Sequence, residues 1–459
     1  MRKTLTLLLF ILSITLYAQN PGSLREIDKL FESIDPSGPG VAVAIEMDGK
    51  LIYNKAFGLA NLESNTPITN ATIFECGSVS KQFVAASILL LAKEGKLSLS
   101  DDVRKYIPEL PKYGATITVD MLLAHTSGLK DWGALYALTG WPRGSRLYTQ
   151  ELGYDIIFKQ KSLNFPSGTQ YSYSNSNYML LSLIIERLSK LTLDQFSKKY
   201  FFEPMGMFHS QWRENHRTIV KGRATAYTMS NEEYLLNMPF ENLHGPGGLL
   251  TTTADLLKWN SLFIDSSILG EKYSLNRIEP RLTNEGVSIG YAAGLRIDTL
   301  GLYKEIAHSG ATGGYRSWLA WYPAKKLSVV LLSNYAKMVP KSYGEKIANI
   351  LLDNPPVKKE SPAHRERVRK NVEKIDIEPY LGQYYSEEVE TTYLLRRRGN
   401  RIELYRKAGD LILLNHVKES TFTSVGGITY QFEKNSRGEV TGFKASLSRA
   451  NNVPFKKVK

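Results

Sequence analysis

The sequence has almost no cysteine: Cys76 is the single one in 459 residues. An intrachain disulfide is therefore excluded, as is a zinc site built on several thiolates. Cys76 also lies too far from the start of the chain to carry a lipid at a processing site. After residue 18 no apolar run approaches the roughly 18 residues that suggest a membrane span, so no transmembrane segment is expected in the mature chain. Other chemistries lack their signatures. There is no His-Glu-x-x-His pair and no phosphate- or dinucleotide-binding glycine loop. His209 and His216 stand seven apart without further ligands and read as surface residues, so neither a metal nor a cofactor is expected. Fixed-period repeats and low-complexity tracts are absent as well.

What remains is the composition of a folded protein, 42% hydrophobic and 22% charged, long enough for two or three domains. Met1-Arg2-Lys3, the apolar stretch Leu5 to Leu16 and the small residue Ala18 read as a signal peptide over residues 1–18. An uncleaved anchor is the alternative, and the run is short for one. The expected location is outside the cytoplasm, periplasmic or extracellular. The net charge of +13 is uneven, with 21 Lys/Arg against 13 Asp/Glu after residue 355. No nucleic-acid motif accompanies it. An anionic envelope polymer is the partner such a charge would suit, and a solvated basic surface is the plainer reading.

Residues 23–34 have helical spacing, and Val41 to Ile45 and Leu51 to Leu59 read as strands joined at Asp48-Gly49. Val79 to Glu94 is a mostly apolar helix stopped by Gly95. From about 100 to 255, helical segments alternate with Gly/Pro/Ser loops. Strand patterns return over 290–298, 301–307, 314–321 and 326–333, followed by a helix near 343–352. Strands at both ends with helices between predict an α+β fold, an antiparallel sheet flanked by helices and carrying a helical lobe. The expected domains are residues 19–355, a charged linker over 356–376, and a small all-β domain over 377–459.

A serine hydroxyl is a poor nucleophile unless something nearby takes its proton. Lysine three residues further along a helix is one solution, because side chains at that spacing share a face. Burial then depresses the lysine pKa so that the neutral amine can accept. Ser78-Val79-Ser80-Lys81 has this form and leads into the apolar helix. The pattern alone is weak, with about two chance matches expected in such a chain. A second copy is Ser127-Gly128-Leu129-Lys130, which precedes Asp131, a poor start for a helix. Two other stretches accompany Ser78: Tyr173-Ser174-Asn175 at a helix entry, and His308-Ser309-Gly310 at a strand.

In this order the three resemble the active-site motifs of the class C β-lactamase and penicillin-binding-protein family. Leu122 to Leu129, Glu203 to Met207 and Gly247 to Thr252 are similar to further stretches of that family, and the likeness spans about residues 23–353. The tail from Tyr380 resembles a β-barrel-like domain often appended to such hydrolases. The resemblance implies Ser78 as nucleophile, with Lys81 or Tyr173 as base. It implies Tyr173 as proton donor to the leaving group and Asn175 as a partner of substrate and Lys81. His308, Ser309 and Gly310 would line the substrate, and the N–H groups of Ser78 and Ala311 would form the oxyanion hole.

His308 departs from the lysine of the lactamases and is closer to the family's D-aminopeptidases, one class of carboxypeptidases and some esterases. A histidine near neutrality is no permanent cation, so a less cationic site is expected, with β-lactam hydrolysis unfavoured as the main activity. The expected function is an exported serine hydrolase acting through an acyl-enzyme on small amides or esters, D-amino-acid peptides foremost. Esterase or weak β-lactamase activity is the alternative within the fold. A non-catalytic penicillin-binding sensor or scaffold is the alternative outside it. Cys76 is expected to be a buried small hydrophobe.

Overall fold

The computed structural model describes residues 21–141, 144–354, 375–406 and 411–458. The expected signal peptide and nearly all of the expected linker lie outside the described residues. Helix α1 (Pro21–Lys29) leads into strands β1 (Val41–Met47) and β2 (Lys50–Phe57), then the short β3 (Phe74–Glu75). Helix α2 (Lys81–Lys93), α3 (Trp132–Leu138) and α4 (Asn175–Ser189) follow, with β4 (Leu249–Thr251) and α5 (Gly270–Ile278). Strands β5 (Arg296–Leu300), β6 (Tyr303–Thr312), β7 (Tyr315–Tyr322) and β8 (Leu327–Ser333) and helix α6 (Pro340–Leu351) complete the first unit.

The main sheet runs β5-β6-β7-β8-β1-β2, antiparallel throughout, so the two ends of this unit close one sheet as expected. Val41 to Ile45 are all buried because β1 is an inner strand covered on both faces. Helix α2 is apolar nearly all round, and every residue from Lys81 to Ala92 is buried, so it runs through the core rather than over it. Each of its large apolar side chains contributes about 1.5–3 kcal/mol by leaving water.

Two local expectations need correction. The strand expected over 290–298 begins only at Arg296, because Gly290 and Gly294 take φ of 62° and 73° and turn the chain. The helix expected from Val79 begins at Lys81, and Gly77–Ser80 form a 3-10 turn before it.

The remaining strands are β9 (Gly382–Ser386), β10 (Thr391–Arg398), β11 (Arg401–Tyr405), β12 (Leu411–Lys418), β13 (Thr421–Ser424), β14 (Thr429–Lys434), β15 (Val440–Leu447) and β16 (Ala450–Lys457). They form a closed eight-stranded barrel in sequential order, shut by pairing of β9 with β16. Side chains fill it: Tyr393, Phe443 and Phe455 pack with ring centroids 4.3–6.0 Å apart.

The barrel is docked by polar contacts. Lys130 Nζ meets Glu388 Oε2 at 3.0 Å with both side chains buried. Thr391 Oγ1 donates to Thr139 O at 3.2 Å, Gln160 Nε2 donates to Glu388 O at 3.1 Å, and the Tyr393 hydroxyl donates to Leu138 O.

Candidate active site

The 3-10 turn Gly77–Ser80 is held against strand β6 by a contact that admits no side chain at two glycines. A Cβ on Gly310 would fall 2.0 Å from Cys76 O, and one on Gly77, whose φ is +52°, would fall 2.6 Å from Ala311 N. The backbone N–H of Ala311 is thereby set beside the turn that carries Ser78. Ser317 Oγ donates to Cys76 O at 2.7 Å, and Cys76 N donates to Leu249 O at 2.9 Å. Just before the turn, buried Glu75 accepts two bonds from Arg213, each at 2.9 Å, and one from Arg223 at 3.0 Å. Cys76 is fully buried, and burial pushes its thiol up to about 12, as suits a packing residue.

Ser78 is partly exposed, whereas Lys81 on the first turn of α2 is buried. Lys81 Nζ lies 3.2 Å from Ser78 Oγ, 2.9 Å from Asn175 Oδ1 and 2.7 Å from Pro246 O. The last two partners can only accept. A neutral amine has two N–H groups, which those acceptors take, and its lone pair is then left for the Ser78 hydroxyl. Burial draws the Lys81 pKa well below its ordinary value; the Asp131 carboxylate opposes this and the Arg449 guanidinium adds to it.

Tyr173 stands beside the Lys81 amine, 4.8 Å from Nζ to the ring centroid. Its buried hydroxyl has no hydrogen-bond partner at regular geometry. Burial holds this phenol well above its usual pKa, with the nearby Ser78 hydroxyl pulling the other way. The group is therefore a neutral O–H near Ser78 Oγ.

His308 is buried in the middle of β6. Its Nδ1 lies 2.6 Å from Ser309 O, an acceptor, so Nδ1 carries the proton. Nε2 is then left to accept from the Tyr291 hydroxyl at 3.1 Å. This is the neutral tautomer, and burial, then Lys81, push its pKa down to about 3. Ser309 and Ala311 alternate with it and are exposed.

The linkage has a definite sign. The unfolded chain protonates His308 near 6.5 and the folded chain near 3, so stability falls as pH drops from 6.5 toward 3, by up to ~1.4 kcal/mol per pH unit for this group. Above 6.5 the group adds nothing. Unfolding free energies from urea titrations at pH 7 and pH 5 should differ more for the wild type than for His308→Gln, by about 1–2 kcal/mol. Equal losses would mean that folded His308 is already protonated at pH 5.

Several functional positions were not assigned from sequence. Asp131 Oδ2 accepts from Asn175 N at 2.7 Å and from Asn175 Nδ2 at 3.0 Å, fixing which side-chain atom faces Lys81. Asp131 also caps α3, its side chain accepting from Ala134 N, so it is a sound helix start after all. His125, with φ of 60°, accepts from Ser174 N through Nδ1 at 3.2 Å and packs 4.3 Å from the Tyr173 ring. The Leu122 to Leu129 stretch was a signal for this, although no role followed from it. Ser127, the serine of the second Ser-x-x-Lys pattern, is buried and donates to Asn177 Oδ1 at 2.8 Å, while Lys130 is committed to Glu388. The last unassigned position, Arg449, belongs to the barrel, at the tip of the turn between β15 and β16, with its guanidinium carbon 5.5 Å from the centroid of the Tyr173 ring.

The beta-lactamase family profile matches residues 27–351. The chain belongs to the beta-lactamase family. Penicillin-binding protein 4* of Bacillus subtilis (strain 168) is 26% identical to this beta-lactamase-family chain over 382 residues, covering 78% of the chain and 82% of that protein. The octameric penicillin-binding protein homologue from Pyrococcus abyssi is 25% identical with a TM-score of 0.65, over 95% of this chain and 99% of that one. The likeness therefore extends beyond the beta-lactamase-family region to the barrel. D-amino acid amidase from Ochrobactrum anthropi SV3 shares the fold over 72% of this chain and 98% of its own, at 21% identity and a TM-score of 0.58.

Proposed function

We propose that the protein is an exported serine hydrolase that works through an acyl-enzyme on small amides, with D-amino-acid-containing peptides first and carboxylic esters second. The observation that carries this is the Lys81 amine nitrogen, buried and 3.2 Å from Ser78 Oγ, with both its other partners pure acceptors. A sensor or scaffold has no use for that arrangement.

In the proposed mechanism Ser78 Oγ attacks the carbonyl as Lys81 takes its proton. The N–H groups of Ser78 and Ala311 receive the oxyanion. Tyr173 hands a proton to the leaving group and is resupplied from Lys81. Asn175 orients Lys81 and the substrate amide, and neutral His308 orients the strand beneath the substrate. The D-amino acid amidase among the structural neighbours supports a D-configured amide as substrate.

The test is to treat the protein with a fluorophosphonate and a fluorescent β-lactam and to map the labelled peptide. Label on the peptide holding Ser78, with turnover of D-aminoacyl anilides or short-chain aryl esters, is the expected result. An intact protein that neither labels nor turns over any of these would return the chain to the sensors.

A further inference from the structure

The core holds an arginine with no acid beside it. Arg277 on α5 is fully buried, and among the described residues it has no carboxylate partner. Its hydrogen bond goes to the side-chain oxygen of Gln82, 3.3 Å from Nη2. Its Cζ lies over two rings, 5.0 Å from the centroid of Trp259 and 4.3 Å from that of Phe263. A ring face attracts the charge but has no lone pair to receive an N–H in the guanidinium plane. Nε and Nη1 are left without an acceptor among the described residues. Burial lowers the Arg277 pKa to about 9, so the group keeps its charge at neutral pH.

Two neighbours add to these donors. Gln82 follows Lys81 on α2, and its Oε1 accepts from Trp259 Nε1 at 3.1 Å as well as from Arg277. Those two donors fix the amide, because the reverse orientation would set NH2 against N–H groups. Nε2 is thereby turned away from them, and it is buried without a partner. Ser274 stands three residues before Arg277 on the same face of α5, and its Oγ is also buried and unpartnered. Each unmet buried donor costs the desolvation of that group, and an unpaired buried charge costs more. A water would meet some of the N–H groups but leave the charge uncompensated. A ligand that only accepts and is itself negative answers both needs.

We propose that Arg277, Gln82 and Ser274 form a buried site for a small monovalent anion of the halide class. One negative charge balances one guanidinium. A halide needs no further donors, whereas the outer oxygens of sulfate or phosphate would face the rings of Trp259 and Phe263. The position also gives the ion a task. The chain after α5 turns at Gly294, φ +73°, where a Cβ would fall 2.8 Å from Lys81 O and 3.0 Å from Gln82 Cα. Helix α5 and its continuation thus clasp the first turn of α2, and the ion fastens that clasp next to Lys81. The site stands independently of the hydrolase reading above.

The experiment uses the full chain. Crystals grown in sodium bromide should show an anomalous peak within roughly 3.5 Å of Arg277 Nε or Nη1. After dialysis into sodium gluconate, the melting temperature should lie about 3 °C or more below that in sodium chloride at equal ionic strength, and bromide should restore it. Arg277→Met keeps the bulk and removes the charge, so the difference between the two salts should shrink to under about 1 °C. The bromide peak needs no variant, and therefore decides the matter should Arg277→Met fold poorly. A peak with equal melts still supports the site, as an ion held too tightly for dialysis to remove. Density at Arg277 without anomalous scattering is water and overturns the proposal, as does a salt difference that persists undiminished in folded Arg277→Met.

Discussion

Ser78→Ala is expected to abolish covalent labelling and to lower turnover by at least about 10⁴-fold, because no acyl-enzyme can form without Oγ. The fold should survive, since Ser78 is partly exposed and its hydroxyl meets Lys81 within the site rather than bracing the surrounding framework. The control is Ser127→Ala. That variant loses a buried hydrogen bond to Asn177 and the acceptor for Leu129 N, so it should cost about 1–3 kcal/mol of stability yet remain labelled. Intact-mass spectrometry after fluorophosphonate treatment, beside thermal melts, reads both. A labelled Ser78→Ala and an unlabelled, fully folded Ser127→Ala would put the nucleophile at the wrong serine.

The second large effect concerns the docking of the barrel. Glu388→Ala strands the Lys130 ammonium in a buried site with Ser162 Oγ, 3.0 Å away, as its remaining partner. Removing one member of a buried pair typically costs about 3–5 kcal/mol. Lys130 already has its pKa drawn down by burial against the pull of Glu388, so it can shed its proton and keep the loss near the lower end. Replacing both partners by Lys130→Met with Glu388→Leu should recover most of the stability, because no charge is then left behind. Urea unfolding of the two single variants and the double reads the coupling; strictly additive losses would show that the pair contributes nothing. A chain cut after Leu352 suffers the same stranding at Lys130 and loses Arg449 as well. It should keep Ser78 labelling with a changed substrate preference and lower stability.

The chemistry was legible where it is local. Ser78 and Lys81 are three apart, and Tyr173 and Asn175 share one loop–helix junction, so spacing alone puts their side chains near one another. Even there the start of α2 was placed two residues early, because a 3-10 turn and an α-helix present the same short pattern of apolar positions. Asp131 and His125 were visible as residues but not as parts, since what they do is hold Asn175 and Ser174 across 44 and 49 positions of chain. Arg449 was illegible. Nothing in Ser448-Arg449-Ala450 differs from any surface turn, and its place in the site follows from barrel closure and from the docking at Lys130. The sheet was read correctly from its flanking strands, and the error at 290–295 came from an apolar run that two positive-φ glycines fold into turns.

The two glycines that admit no methyl group, Gly77 and Gly310, and the hairpin tip that carries Arg449 stand at opposite ends of tolerance to change. At the first, mutation is confined almost to silence, and the bond-breaking machinery is inherited as a block. At the second, the backbone is tied to Asp131 and Asn164, but the side chain can be exchanged without disturbing the barrel interior or the sheet. Change among descendants of this chain is therefore expected to gather at such tips, while the packed turn around Ser78 stays constant.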